Sequence, residues 1–144
     1  MKLKLVSIAL AVALVPITPL NAQSISPVGH YTKKRGGEGK MRVEMTDEGW
    51  RVFVVAGGTP NGGATAADCT LIAVGTIKSN TFQGEIKYGG DMGDEKPGPT
   101  FAVEAGHKMN ITFAPSFATL TTGDVGDICG NGTGLFGRYT KDRK

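Results

Sequence analysis

Short segments in which hydrophobic and polar residues alternate recur along most of this chain. In segment 81–88, Phe82, Gly84, Ile86 and Tyr88 alternate with polar residues. A period of two places successive side chains on opposite faces of a β-strand, so such a segment buries one face and exposes the other. The same period recurs in two further segments, 40–46 and 108–113.

Four other segments complete a predicted run of strands. Segments 50–56 and 69–77 are more continuously apolar, which is typical of strands that are covered on both faces. Segments 100–105 and 117–122 are predicted strands as well. The sequence after residue 22 sustains no helical period. It therefore predicts an all-β domain of eight or nine strands.

A short internal repeat links the two ends of this domain. Residues 29–33 read Gly-His-Tyr-Thr-Lys, and residues 137–141 read Gly-Arg-Tyr-Thr-Lys. Pairing of the first strand with the last closes a sheet and removes its exposed edges, and short turns between successive strands are typical of an up-and-down meander. We expect a small closed up-and-down β-barrel of about eight strands, with an interior filled by its bulky inward side chains.

The first 22 residues have the composition of a signal peptide. Two lysines precede a largely apolar run over 5–15, and Ala22 supplies the small residue that a signal peptidase requires. The apolar run is too short to span a bilayer as a helix. We expect an exported protein, periplasmic or secreted and without a membrane anchor, whose single β-barrel domain spans residues 23–144.

The net charge disfavours two classes of partner. The chain has 16 basic and 13 acidic residues, and the loss of Lys2 and Lys4 with the signal leaves 14 and 13. A nearly neutral surface favours neither a nucleic-acid footprint nor strong attraction to anionic membranes. We therefore expect no nucleic-acid partner.

Cys69 and Cys129 are the two cysteines of the chain. Two cysteines in an exported domain most often form one disulfide, whereas a reactive pair favours a close spacing such as Cys-x-x-Cys. We expect a disulfide between Cys69 and Cys129.

The motifs that could indicate catalysis or metal binding lack the context that such chemistry requires. Residues 132–137 spell G-x-G-x-x-G, but a dinucleotide site needs that motif between a strand and a helix of a βαβ unit. His30 and His107 are too few for a zinc site without further ligands. Ser79 and Ser116 lack the surroundings of a nucleophile elbow. We expect a protein without enzymatic activity, metal or cofactor.

The predicted connections differ in length between the two ends of the barrel. Alternate loops of a meander emerge at the same end, which places loops 35–39, 57–67 and 89–99 on one rim opposite a set of tight turns. Long, structured loops on a rigid scaffold are common binding sites. Pro97 and Pro99 restrict loop 89–99, and this lowers the entropy lost on binding.

An exported β-barrel with one disulfide, no active site and protruding loops resembles the periplasmic inhibitors of c-type lysozyme. The Ser-Gly-x-x-Tyr loop signature common in that family is absent here, so no residue is transferred from it. The resemblance implies a loop inserted into a cleft that holds two catalytic carboxylates. Lys96 is then expected to neutralise or hydrogen-bond a carboxylate, with Tyr88, Asp91 and Asp94 as further contacts to the enzyme.

Two other functions remain open from the sequence. A small-molecule or lipid carrier of calycin type would use the mouth of the same barrel, and an envelope or surface antigen would use the barrel only as a scaffold. The interior distinguishes the carrier, because an apolar cavity on the order of several hundred Å³ favours it and a packed core does not.

Overall fold

The computed structural model describes residues 25–57, 69–90, 101–122, 125–129 and 134–143, which are almost entirely β-structure. Residues 1–24, which contain the predicted signal peptide, lie outside these ranges. The elements in chain order are β1 (Gly29–Lys33), β2 (Glu38–Thr46), β3 (Gly49–Gly57), β4 (Cys69–Lys78), β5 (Thr81–Gly90), β6 (Phe101–Ala102), β7 (Lys108–Ala114), β8 (Phe117–Thr122), α1 (Gly126–Cys129) and β9 (Gly137–Lys141). The four-residue helix α1 is an element that the sequence did not predict.

The strands form a closed antiparallel barrel. The strands lie in the order β4-β3-β2-β1-β9-β8-β7-β5, and β4 pairs with β5 to close the sheet. The first and last strands are neighbours, with Tyr31 opposite Lys141 and Thr32 opposite Thr140. Because β6 and β7 both pair with β5, they share one position in the wall, and the barrel is eight-stranded. The predicted up-and-down barrel and the predicted pairing of the two repeats are both confirmed.

One part of the predicted meander is wrong. The strands predicted over 100–105 and 108–113 both form, as β6 and β7, but they lie along the same edge of β5 and take a single place in the barrel wall. Across the interruption between them, the amide of Val103 donates to the Lys87 carbonyl at 3.0 Å, and the amide of Ile86 donates to the His107 carbonyl at 2.9 Å. Because β6 and β7 count as one strand of the wall, β8 runs toward the same end of the barrel at which β4 begins.

A β-bulge determines the direction of the Tyr88 side chain. The pairing of β4 with β5 shifts between Ile72 and Ala73, so that Ala73 lies opposite Ile86 and Ile72 lies opposite Tyr88. Lys87 is the extra residue of the bulge, which reverses the alternation that follows it. The period-two prediction is therefore wrong for Tyr88, whose side chain faces outward and is 45% exposed.

Bulky side chains fill the interior, as the alternation predicts. They form one continuous hydrophobic cluster that runs from β1 around the barrel to β9. Gly84 makes room within it, because a Cβ at that position would lie 2.2 Å from the ring of Phe82. The largest fully buried members are Tyr31, Tyr139, Phe82, Met41, Leu71, Ile86, Met109, Ile111, Leu120 and Leu135.

Candidate binding rim

The two ends of the barrel carry connections of different length. One end has only two-residue turns, at 47–48, 79–80 and 115–116. The other end, which we call the loop rim, carries the longer connections 34–37, 58–68, 91–100 and 123–136. This separation follows from the antiparallel meander, in which alternate connections emerge at the same end.

Lys33 lies buried beneath the loop rim. Its side chain is 4% exposed, and its Nζ donates hydrogen bonds to the backbone carbonyls of Gly36, Gly134 and Phe136. Burial lowers the pKa of the ammonium group, whereas carbonyl acceptors stabilise its charged form. The lysine thereby ties connection 34–37 to the backbone that leads into β9.

Glycines allow three stretches of backbone to meet at the same place. A Cβ at Gly37 would lie 2.9 Å from the Gly57 carbonyl oxygen and 3.0 Å from the Cα of Gly134. Gly37 and Gly134 also have positive φ angles, of 101° and 61°, which glycine adopts without steric cost. Connection 34–37, the end of β3 and the start of segment 134–136 are therefore in direct contact.

The predicted disulfide between Cys69 and Cys129 is confirmed. It joins the start of β4 to the end of α1 across 60 positions, with the two Cα atoms 5.2 Å apart. Ile128 packs so closely on β5 that a Cβ at Gly89 would lie 2.4 Å from its Cγ2. A disulfide of this kind forms in an oxidising compartment, consistent with export.

Four side chains are exposed on or next to the loop rim. Lys34 and Arg35 project from connection 34–37, and Phe136 is 48% exposed on the segment before β9. Tyr88 lies near the end of β5, on the outer wall just below the rim. Lys34, Arg35 and Phe136 are not among the contacts predicted from the sequence, although Arg35 begins the predicted rim loop 35–39.

The other predicted contacts cannot be placed in the same way. Asp91, Asp94 and Lys96 lie outside the described residues, in connection 91–100. Their place in the chain, between the end of β5 and the start of β6, assigns their connection to the loop rim.

The described ranges contain neither a candidate metal site nor a helix that could span a membrane. No three His, Cys, Asp or Glu side chains in those ranges are grouped so that they could hold a metal ion. Among the same residues, no helix has the length and hydrophobicity needed to cross a membrane.

Comparison with known proteins identifies no relative of this chain. No protein-family model, curated protein or solved structure matches it. Any assignment of function therefore rests on the geometry and chemistry of the chain itself.

Proposed function

We propose that this chain is an exported, non-catalytic inhibitor of a c-type lysozyme, which it blocks by placing a loop of the loop rim in the active-site cleft. The observation that supports this proposal is the separation of long connections from tight turns at opposite ends of a filled barrel. When the long loops of a rigid scaffold all emerge at one end, that end is the usual place for a partner to bind.

The loop rim has the supports that a binding surface needs. The disulfide fixes α1 to β4, and Lys33 fixes connection 34–37 to the backbone before β9. Connection 34–37 and α1, held in this way, lose little conformational entropy when a partner binds. A periplasmic or secreted inhibitor would meet a lysozyme in an oxidising compartment, where such a disulfide persists.

The chemistry of the target explains the choice of Lys96. The cleft of a c-type lysozyme holds two carboxylates in unequal environments. A lysine inserted there forms a charge-assisted hydrogen bond, which is stronger in a site that excludes water than on an open surface. Asp91, Asp94 and Tyr88 would contact the basic surface around the cleft.

The filled interior gives no support to the alternative of a lipid or small-molecule carrier. Side chains from β1 to β9 pack into one cluster, in the space where a carrier of calycin type holds its ligand. The loop rim is therefore the part of the molecule to which function is assigned.

The test is inhibition of lysozyme-driven clearing of bacterial cell walls by the native protein and by two matched lysine variants. Lys96→Ala should weaken inhibition by a factor on the order of 30 to several thousand, because a carboxylate in the cleft is left unpaired. Lys78→Ala, at the end of β4 that carries the tight turns, should inhibit like the native protein.

The possible outcomes separate the parts of the proposal. An inactive native protein rejects the lysozyme assignment. Inhibition that survives Lys96→Ala keeps the assignment but removes Lys96 from it, and the exposed Lys34 and Arg35 are then the next positions to replace. Equal losses in Lys96→Ala and Lys78→Ala reject the loop rim as the contact surface.

A further inference from the structure

The outer wall of the barrel carries apolar side chains on three adjacent strands. On β4, the outward-facing Ile72 lies between Phe53 of β3 and Tyr88 of β5, directly opposite each of them in the pairing register. Ile72 and Phe53 are partly exposed, and Tyr88 is 45% exposed. The guanidinium of Arg42 lies 5.5 Å from the centroid of the Phe53 ring and leaves part of that ring uncovered. These three side chains form a continuous apolar row across β3, β4 and β5.

A second row runs parallel to the first, further from the loop rim. Val74 lies between Arg51 of β3 and Glu85 of β5, again directly opposite both. Its flanking charges are of opposite sign, and its centre is apolar. Arg51 lies 3.6 Å from Glu48 and 3.9 Å from Glu44, and Glu85 pairs with Lys87, so each flanking charge has an opposite charge beside it within its own copy.

The rest of the outer wall is polar within the described residues. The one large apolar side chain that faces outward on β8, Phe117, is covered by the guanidinium of Arg138 at 3.6 Å from its ring centroid. The other outward-facing side chains on β7, β8 and β9 include Asn110, Thr112, Thr119, Thr121 and Thr140. The apolar surface is therefore confined to the face of β3, β4 and β5.

We propose that two copies of this chain associate through that face, around a two-fold axis that runs along β4. Such an axis places the β3 side of one copy against the β5 side of the other. Tyr88 then meets Phe53 of the second copy, Glu85 meets Arg51 of the second copy, and Ile72 and Val74 each meet their own counterparts. The face is complementary to itself in both hydrophobicity and charge.

The side-chain lengths fit the curvature of the wall. The surface of a narrow barrel falls away on both sides of a contacting strand, so flanking residues must be long to reach the other copy. The central strand carries the shorter Ile72 and Val74, and the flanks carry Tyr88, Arg51 and Glu85. The same axis leaves both loop rims free and pointing in one direction, an arrangement that allows bivalent binding.

The experiment measures self-association of the native protein by sedimentation equilibrium over a range from micromolar to millimolar concentration. A dimer is expected, and Ile72→Lys should raise its dissociation constant on the order of 100-fold, because two lysines face each other at the axis. Thr119→Lys, on the polar wall of β8, is the matched control and should dimerise normally. Circular dichroism and urea unfolding verify that each variant is folded.

A charge exchange tests the position of the axis. Arg51→Glu and Glu85→Arg should each weaken the dimer about tenfold, and the double variant should return it to within about threefold of the native value, because the opposite charges meet again. A native protein that stays monomeric, or a dimer that survives Ile72→Lys, overturns the proposal. Failure of the double variant to recover overturns the axis along β4.

Discussion

The two repeats place the same residues in equivalent roles at the closure of the barrel. The hydroxyl groups of Tyr31 and Tyr139 donate to the carbonyls of Pro27 and Leu135, each at 2.7 Å and each four residues earlier in the chain. Each lysine reaches across to the tyrosine of the other repeat: Lys33 Nζ lies 5.9 Å from the Tyr139 ring centroid, and Lys141 Nζ lies 5.6 Å from that of Tyr31. The repeated residues therefore stabilise the seam between β1 and β9.

The two lysines of this reciprocal arrangement should contribute unequally to stability. Lys33 is buried and donates to three carbonyls, whereas the more exposed Lys141 donates to the Ser26 carbonyl at 2.7 Å. Lys33→Met should lower the free energy of unfolding by about 2–4 kcal/mol, because it leaves rim carbonyls without a donor. Lys141→Met is the control and should cost less than about 1 kcal/mol. Urea unfolding measures both, and equal losses would contradict the assigned roles.

Tyr31 should make stability depend on pH in the alkaline range. Burial raises the pKa of Tyr31 to about 12, from an ordinary value near 10. The folded state therefore retains the proton more strongly, so the contribution of this group is complete below about pH 10 and is lost as the pH rises through 12. The lost free energy is roughly 2–3 kcal/mol, from about 1.4 kcal/mol per pKa unit.

The comparison of native protein with Tyr31→Phe isolates this effect. The phenylalanine variant has no phenol to ionise at position 31, while Tyr139 and Lys33 titrate in both proteins. The difference in their unfolding free energies, measured in urea from pH 8 to pH 12, should shrink as the pH rises. If the difference in unfolding free energy stays constant with pH, ionisation of Tyr31 does not contribute to the pH dependence of stability.

At the level of the strands, β4 and β5 leave no space for a side chain at a pair of opposed glycines. Gly75 lies opposite Gly84, and a Cβ at Gly75 would be 2.2 Å from the Gln83 carbonyl oxygen and 2.4 Å from the Gly84 Cα. Both obstacles are backbone atoms, which cannot move aside without separating the strands. The glycine pair thus determines how tightly this part of the barrel wall can bend.

Alanine at this position should therefore be costly. Gly75→Ala is expected to destabilise the fold by about 3 kcal/mol or more, as overpacking that displaces backbone does. Gly36→Ala is the control: its Cβ would have no atom within 4 Å, and only its positive φ of 68° opposes the substitution, at about 1–2 kcal/mol. Thermal or urea unfolding compares the two. A Gly75→Ala protein as stable as Gly36→Ala would show that β4 and β5 can move apart at this position at little cost.

Local patterns predicted the strands well and their long-range register poorly. The bounds of β1 and β9 coincide with the two repeats, because a repeated sequence and a period of two are both visible along the chain. Besides the helix α1, two features of the sheet were missed: the shared edge formed by β6 and β7, and the outward direction of Tyr88. Both depend on how β5 pairs with its neighbours, which no single segment encodes. For the loop rim, the sequence predicted which end of the barrel carries the long loops but not that Lys33 lies beneath them.

For the whole molecule, the disulfide should contribute much of the stability of the loop rim. A cross-link over 60 positions is worth about 4 kcal/mol in the loop-entropy model. The double variant Cys69→Ser with Cys129→Ser should lose about that much unfolding free energy and become insensitive to reducing agent. Urea unfolding with and without reductant measures both effects. Native protein whose two thiols can be reduced and alkylated without loss of stability contradicts this expectation.

Closure at the seam also makes folding depend on chain length. Successive strands can pair as local hairpins, which form in about 1–10 μs, but the seam joins positions as far apart as Thr32 and Asp142, which are 110 residues apart and bonded at 2.9 Å. Until β9 has emerged during synthesis, β1 retains an unpaired edge, and Lys33 lacks two of its three acceptors. A chain that lacks β9 therefore exposes a strand edge that is open to aggregation.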